Sequence, residues 1–533
     1  MSASAADETI AAEPTIEPTL SRLYHLRRQR NSIASPLLRL PTELILHIFE
    51  YAIEPEGGSD NDDDDDSYIG DGDDDDISTW PKDGPTLVVL VSICHKLREI
   101  GITTPRLWGT VDLTIPSIAE LSLKRCKYDP RIIIQSRYAR RSQSIRRVQA
   151  VWAQLEGRAF NNLRNLAFKG NSPEFERRVV PILQTATKIS SLDLENPTIP
   201  APKLPWEPSA PLSHLSILRL RGFSISWTSH IIQNLTQLIV DLGLSGPPSE
   251  HAPMAPLLTA LANCPDLELL KLRRAGPDPP IPHRDSRDAM VRLRKLRKLS
   301  LILGDPSSVG HILSHIKYPE SARVKVHVPV GPRADIPEVV SQVFPCGDSD
   351  TLQYIQRSKA LDVCWGDDTY SFSACDTTIR FACLRLGYPV ELLQSTRKTL
   401  EVVGGGTVIQ LCVTTWYELT DQIWGALLHG LPRLERIFYQ RHGRERDQGF
   451  IDPFIFIFSR PFEGVPSICP QLQHLELPRE VLTRDASVTL LKCALTERVA
   501  CGRRLKRIGL SDDTVEGDER VLVQFCDLVE EIG

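Results

Sequence analysis

The sequence predicts an α/β chain in two parts, a small all-helical unit followed by a solenoid of repeated strand-and-helix units. Two observations carry this prediction. A short amphipathic helix with its own start signal lies at 40–52, and its continuation follows an acidic interruption, at 87–113. A Leu-x-x-Leu-x-Leu phrase then recurs from Leu163 onward. No apolar run approaches the roughly 20 residues of a membrane span.

The first helix reads Leu40-Pro41-Thr42-Glu43-Leu44-Ile45-Leu46-His47-Ile48-Phe49. Pro41 stands in the first turn, where a missing N–H costs nothing, and Glu43 sits near the positive helix end. Leu44, Ile45, Ile48, Phe49 and Ala52 fall within an arc of about 140°, with Glu43, His47 and Glu50 on the other side. A helix this short is unstable alone in water, so its apolar side must be covered. In the stretch from Leu87 to Leu113, one helical face carries Leu87, Leu90, Val91, Cys94 and Leu97, and another carries Val89, Ile93 and Ile100. A helix apolar on two faces packs on two sides. Thr103-Thr104-Pro105 ends it, and Trp108 follows as a large anchor.

These residues resemble an F-box, in the form common among fungal F-box proteins with leucine-rich repeats. The resemblance rests on the LPTEL…IF start, on Cys94-His95-Lys96-Leu97-Arg98-Glu99-Ile100, and on the closing Thr104-Pro105-Arg106-Leu107-Trp108. It covers residues 36–113 well and the rest of the chain loosely. Leu97 stands where the family usually has Trp, which removes aromatic area. The resemblance implies a docking surface for the Skp adaptor of a cullin-RING ubiquitin ligase. The docking residues it implies here are Leu40, Pro41, Leu44, Ile45, Ile48, Phe49, Val91, Cys94 and Leu97. The chain would then be a substrate-recognition adaptor, not itself an enzyme, that presents a protein substrate to a conjugating enzyme held elsewhere. The reading from another class is a repeat scaffold that binds a partner without any ubiquitin transfer.

Length and composition fit this organisation. A chain of 533 residues accommodates several domains or one elongated array. Hydrophobic residues make up 41% and charged residues 24%, ordinary for a globular protein. The net charge of −6 hides an asymmetry: Asp60–Asp76 is almost a pure acid run, and the remainder is mildly basic. The 12 cysteines show no CxxC pair and no regular spacing, so neither a zinc site nor a disulfide framework is indicated. Reduced thiols and a first 20 residues lacking the basic and apolar regions of a secretion signal lead us to expect a cytoplasmic or nuclear protein.

The elements follow in order. Residues 1–35 are expected to be disordered up to about residue 20, then to form a basic amphipathic helix over 21–32. Residues 54–84 form an acidic insert, too charged and Gly-rich for regular structure. The repeat region is expected over 114–533. A helix at 116–128, a strand Arg131–Gln135 and a basic run Arg137–Arg147 lead into it. The phrases at Leu163, Ile189 and Leu215 are each about 26 residues apart, inside the leucine-rich-repeat range. Further copies start at Leu267, Leu296, Leu434, Leu472 and Leu505, with a weaker one at Leu235. One such unit cannot bury its own core, and stacking neighbours does so. Pro-rich loops are expected at 195–211 and 273–288, irregular repeats over 330–430, and a closing helix over 521–532.

Chemistry-bearing candidates are sparse. The strands of such an array line a concave face, the expected substrate surface. Trp206, Phe223, Trp227, Trp365 and Trp416 are large aromatics near predicted loops or strand ends. Arg137, Arg140, Arg141, Arg146 and Arg147 read either as phosphate contacts or as a solvated face, and the absence of interleaved aromatics weighs against nucleic acid. The acid run reads as a solvated spacer or as an attractor of basic proteins, and it lacks the Gly and terminal Glu of a calcium loop. Gly404-Gly405-Gly406 follows the strand-like LEVV but precedes no Lys-Ser/Thr, so a phosphate loop is not supported. No Ser-His-Asp or Cys-His signature appears, and no metal or cofactor motif.

Overall fold

The computed structural model describes residues 16–53, 86–113, 116–126, 131–135, 151, 153, 163–198, 201–208, 212–243, 254–275, 290–330, 335–344, 350–366, 369–374, 377–383, 389–416, 419–441, 452–459, 468–478, 485–510 and 522–532. The acidic insert, the basic run Arg137–Arg147 and most of the Pro-rich stretch at 273–288 fall outside the described residues. The chain divides into two compact units, Met1–Ala167 and Phe168–Gly533. Its architecture is mixed α/β, with mostly parallel strand pairing.

The first unit opens with α1 (Ile16–Ala34), a longer helix than the basic segment expected over 21–32. A 3₁₀ turn (Leu37–Arg39) leads into α2 (Thr42–Ile53). Then come α3 (Thr86–Ile93), α4 (His95–Thr103) and a second 3₁₀ turn (Pro105–Trp108). One cluster of buried side chains joins the two turns with α2, α3 and α4: Leu38, Ile45, Phe49, Leu87, Leu97, Ile100, Leu107 and Trp108. At about 1.5–3 kcal/mol for each large apolar side chain, this burial is what makes such short helices stable. Strands β1 (Thr110–Asp112) and β2 (Arg131–Gln135) follow. They pair in parallel, Val111 opposite Ile132, with α5 (Pro116–Arg125) in the connection that a parallel pair requires.

The single helix expected across 87–103 is two. Cys94 breaks it with extended backbone, φ −154° and ψ 168°. Side chains take over where the helical ladder stops: Ser92 Oγ donates to the Val89 carbonyl at 2.7 Å, and Arg98 Nε to the Val91 carbonyl at 3.1 Å. On either side of the break, Leu87 from α3 and Leu97 and Ile100 from α4 enter the same core.

Each of the nine Leu-x-x-Leu-x-Leu phrases that the sequence suggested falls on a strand, the first where the two units meet in sequence and the other eight in the second unit. After Asn165–Lys169 (β3), the strands are β4 (Ser191–Glu195), β5 (Ile217–Arg221), β6 (Gln237–Asp241), β7 (Leu269–Arg273), β8 (Lys298–Ile302) and β9 (Arg323–Val330). From β4 to β9 they are parallel neighbours in chain order. Register aligns two apolar rows, Leu192–Leu218–Leu238–Leu270–Leu299 and Leu194–Leu220–Val240–Leu272–Leu301. All ten side chains are buried. Where an adjoining loop must come close, glycine is required: Gly222 has φ +66°, and a β-carbon there would collide with the Asn196 carbonyl.

Over 360–383 the parallel order is interrupted. Strands β10 (Ala360–Trp365), β11 (Thr369–Ala374) and β12 (Thr377–Cys383) form an antiparallel run. Its outer strands pair in parallel with the flanking sheet, β12 with β9 and β10 with β13 (Gln410–Thr415). Parallel order then resumes through β14 (Arg436–Arg441), β15 (His474–Leu477) and β16 (Leu505–Leu510). Helices α6 (Pro306–His315), α7 (Ile336–Val343), α8 (Pro389–Val403), α9 (Asp421–Gly430), α10 (Pro453–Ser459) and α11 (Asp485–Ala500) pack successively, each on the next.

Two expectations are corrected here. The LEVV segment, read as strand-like, is the last turn of α8, and Gly404 ends that helix at φ +72° with its N–H on the Leu400 carbonyl. The closing helix expected over 521–532 is instead a 3₁₀ turn (Val523–Phe525) and a strand, β17 (Val529–Ile532). β17 pairs in parallel with β16, so it supplies partners that the edge of β16 would otherwise lack.

Candidate functional site

The residues singled out in the first unit separate into two shells. Ile45, Phe49 and Leu97 are in the core, at 0%, 1% and 1% exposure. Leu40, Val91 and Cys94 are partly buried against that core. Pro41, Leu44 and Ile48 face outward, Leu44 and Ile48 at 48% and 41% exposure. The 140° apolar arc of α2 is therefore shared: one edge closes the unit, and the other is left open. Tyr51 extends the open edge, completing an i, i+4, i+7 stripe with Leu44 and Ile48. Val89 and Ile93 are also exposed, at i and i+4 on α3.

This outer shell rests on a firm base. Trp108, read from the sequence as an anchor, is buried, and its Nε1–H donates to the Gly101 carbonyl at 2.7 Å. The Arg125 guanidinium lies over the Trp108 ring, 4.5 Å from its centre. Lys96 Nζ donates to the Leu38 carbonyl at 2.6 Å, tying α4 to the turn before α2. On the polar side, Arg106 Nε lies 2.7 Å from Glu50 Oε1, while His47 Nδ1 lies 3.5 Å from Glu50 Oε2. Leu97 fills core space here, so the aromatic area missing at that position is not a gap in the open face.

In the second unit the candidate aromatics divide sharply. Trp206, Phe223, Trp227 and Trp365 are buried, at 9%, 0%, 6% and 0% exposure, and are structural. Trp416 is 47% exposed, at the end of β13. The strand face opposite the apolar rows carries a cross-strand charge pattern that single-strand reading missed. Lys169 Nζ is 2.5 Å from Glu195 Oε1, and Arg221 Nη1 is 3.8 Å from Glu195 Oε2. Arg219 Nη1 is 4.0 Å from Asp193 Oδ2, and Arg273 Nη1 is 3.6 Å from Asp241 Oδ2. The signal was present in the non-Leu positions of the phrase, and superposing the copies exposes it: Asp193 beside Arg219, then Glu195, Arg221, Asp241 and Arg273 in one row.

Further along this face Asp362 registers with Cys412, and Ser373 Oγ donates to Asp362 Oδ2 at 3.1 Å. Partial burial, followed by the nearby Arg436, Lys506 and Arg507, holds His474 below its ordinary value. Among the described residues no helix is long and apolar enough to cross a membrane. No protein-family model matches the chain, and no curated protein matches it.

Proposed function

We propose that this chain is the substrate-recognition adaptor of a Skp–cullin–F-box ubiquitin ligase, with an F-box over 36–113 and leucine-rich repeats over 114–533. One observation carries the reading: Leu44, Ile48 and Tyr51 form an exposed apolar stripe on a helix whose opposite edge, Ile45 and Phe49, is locked in its own core. An exposed stripe on a rigid base is what a partner helix needs, because the ordering cost has already been met. Pro41, Leu44 and Ile48 are then the contacts, with Leu40, Val91 and Cys94 at their margin. Ile45, Phe49 and Leu97 act by holding that surface in place. The polar strand face of the second unit, with Trp416 at its rim, is the surface for the protein substrate.

The test is capture of the Skp adaptor by the full chain. Leu44→Asp with Ile48→Asp abolishes Skp capture and cullin co-purification while the circular dichroism spectrum stays that of the parent. Ile45→Ala is the contrasting variant, destabilising by about 2–4 kcal/mol through the cavity it leaves. Unchanged Skp capture by the doubly substituted chain rejects the docking assignment. A parent chain that binds proteins but brings down no cullin is instead a repeat scaffold without ubiquitin transfer.

A further inference from the structure

The last three Leu-x-x-Leu-x-Leu phrases start at Leu434, Leu472 and Leu505, and each has a basic third residue: Arg436, His474 and Arg507. The earlier copies hold Asn165, Ser191, Ile217, Gln237, Leu269 and Lys298 there, so among the nine copies an unbroken basic row occurs only on β14, β15 and β16. Register puts Arg436 opposite His474, and His474 opposite Arg507. The residue after each, Ile437, Leu475 and Ile508, is buried, so the three basic side chains stand on the open face of the sheet. Arg436 and Arg507 are exposed, and His474 is half-buried between them.

This row differs from the charged strands before it. Arg219, Arg221 and Arg273 each lie within 4.0 Å of an Asp or Glu. Among the described residues Arg436 and Arg507 have neither an ion pair nor a side-chain hydrogen bond. The charged neighbours are Lys506, beside Arg507, and three acids, Glu435, Glu476 and Glu531. Glu435 and Glu476 lie along the strands from the row, and Glu531 is opposite Arg507 on the side away from His474. The balance of charge at His474 is positive: after burial, Arg436, Lys506 and Arg507 lower its pKa, and Glu531 only partly opposes them. The imidazole is therefore neutral at neutral pH and keeps one N–H to donate.

Neighbouring strands are about 4.8 Å apart, so the Arg436 and Arg507 backbones are about 10 Å apart, with the shorter imidazole between them. The two long side chains can close over it from opposite sides. A single carboxylate occupies one guanidinium fork and leaves the second arginine uncompensated, whereas a tetrahedral dianion offers oxygens to both forks and to the imidazole. The row is also short, bounded by Gln410 on β13 and by Glu531 on β17. A polyanionic chain such as nucleic acid needs cations repeated along its length, so the row fits one anionic group. We infer that Arg436, His474 and Arg507 bind a single phosphate group, carried on a phosphorylated side chain of a partner protein. The inference rests on the reading of this strand face as the substrate surface, and it narrows the substrate to phosphorylated proteins.

The experiment uses the full chain and two fluorescent peptide libraries of degenerate sequence, one with a central phosphoserine and one with serine there, followed by anisotropy. The parent binds the phosphoserine library about tenfold tighter or more, and a library with central Glu falls between. Arg436→Gln and Arg507→Gln each lose that preference with unchanged thermal unfolding. Arg433→Gln, at an exposed position in the turn before β14, keeps it. Equal binding of the phosphoserine and serine libraries by the parent overturns the inference, as does a parental preference in Arg436→Gln and Arg507→Gln. Inorganic phosphate that displaces the peptides at their own Kd assigns the row to free phosphate and overturns the protein source. Tighter binding of a poly-dT oligonucleotide than of the phosphoserine library overturns it too. The Leu44→Asp, Ile48→Asp chain keeps the phosphoserine preference, so loss of Skp capture and loss of phosphopeptide binding are read separately.

Discussion

Gly101 in α4 has no room for a β-carbon beside Val91 Cγ1 in α3. The two helices meet where only a hydrogen fits, and the Gly101 carbonyl simultaneously receives Trp108 Nε1. Gly101→Ala gains up to about 1 kcal/mol of helix propensity and loses about 1–3 kcal/mol to overpacking against a β-branched side chain that is stiff at χ1. The expected net loss is about 1 kcal/mol, read from urea unfolding. Adding Val91→Ala to the same chain recovers part of it. A Gly101→Ala chain more stable than its parent shows that the helices part freely there.

Glu195 faces two cations, Lys169 at 2.5 Å and Arg221 at 3.8 Å, and the three side chains are only 15%, 11% and 18% exposed. Glu195→Gln keeps the shape and leaves both cations without that charge. Breaking a fully buried pair costs about 3–5 kcal/mol, and partial exposure reduces this to about 2 kcal/mol. Urea unfolding of parent and variant at low and high salt is the measurement. The difference persists at high salt because partly buried pairs are weakly screened. A difference that disappears with salt makes the pair an ordinary surface contact.

Burial, then the negative charge of Asp362, pushes the Cys412 thiol up to about 11 against a hydrogen bond with Thr414 that lowers it. At neutral pH its thiolate fraction is then on the order of 10⁻⁴, and thiolate is the reactive form. Iodoacetamide labelling followed by peptide mass spectrometry marks the exposed Cys493 and Cys501 well before Cys412. Asp362→Asn removes one opposing charge and speeds Cys412 labelling several-fold. Labelling of Cys412 in step with the exposed thiols contradicts this account of its surroundings.

The strands were readable because their signal is local: two inward leucines two residues apart, after a third three residues earlier, mark β4 to β8 without reference to anything distant. The break at Cys94 was not readable, since no Gly, Pro or Asn announces it. The break accompanies packing of Leu87, Leu97 and Ile100 with residues of α2 and the Trp108 turn, contacts that no local pattern records. The end of the chain misled for a related reason. Val529–Ile532 carries no strand pattern strong enough to outweigh a helical reading, and its conformation is set by the open edge of β16. For the site, helical periodicity found the apolar residues of α2. It did not divide Leu44 and Ile48 from Ile45 and Phe49, because all lie in one arc and only the position of α3 and the Trp108 turn decides which edge is covered. The charge rows were hidden because each pair is formed between residues about 20–30 positions apart.

Arg498 is the clearest case of a residue whose role sequence conceals. In Thr496-Glu497-Arg498-Val499 it reads as one more charge on a surface helix, yet it is 4% exposed. Its Nη1 donates to the carbonyls of Ile468 and Cys469 and its Nη2 to those of Cys469 and Leu472, each at 3.2 Å. Those carbonyls belong to a turn in which Cys469 has φ +51°, and the guanidinium also lies 5.6 Å from the Phe458 ring centre. Burial lowers the Arg498 pKa, but a guanidinium stays protonated and keeps its full fork of donors. Arg498→Met preserves length and apolar contact while leaving three buried carbonyls without these donors, an expected loss of about 3–5 kcal/mol. Arg498→Lys offers a point charge in place of a planar fork, reaches fewer of the three, and falls between. Urea unfolding ranks the series, and Cys469, whose thiol burial holds near 12, reports the turn itself: it becomes open to alkylation in Arg498→Met before the rest of the chain unfolds. A methionine variant with parental stability and a still protected Cys469 means that the turn is held by its apolar neighbours, and that the four hydrogen bonds merely compensate Arg498 for its own burial.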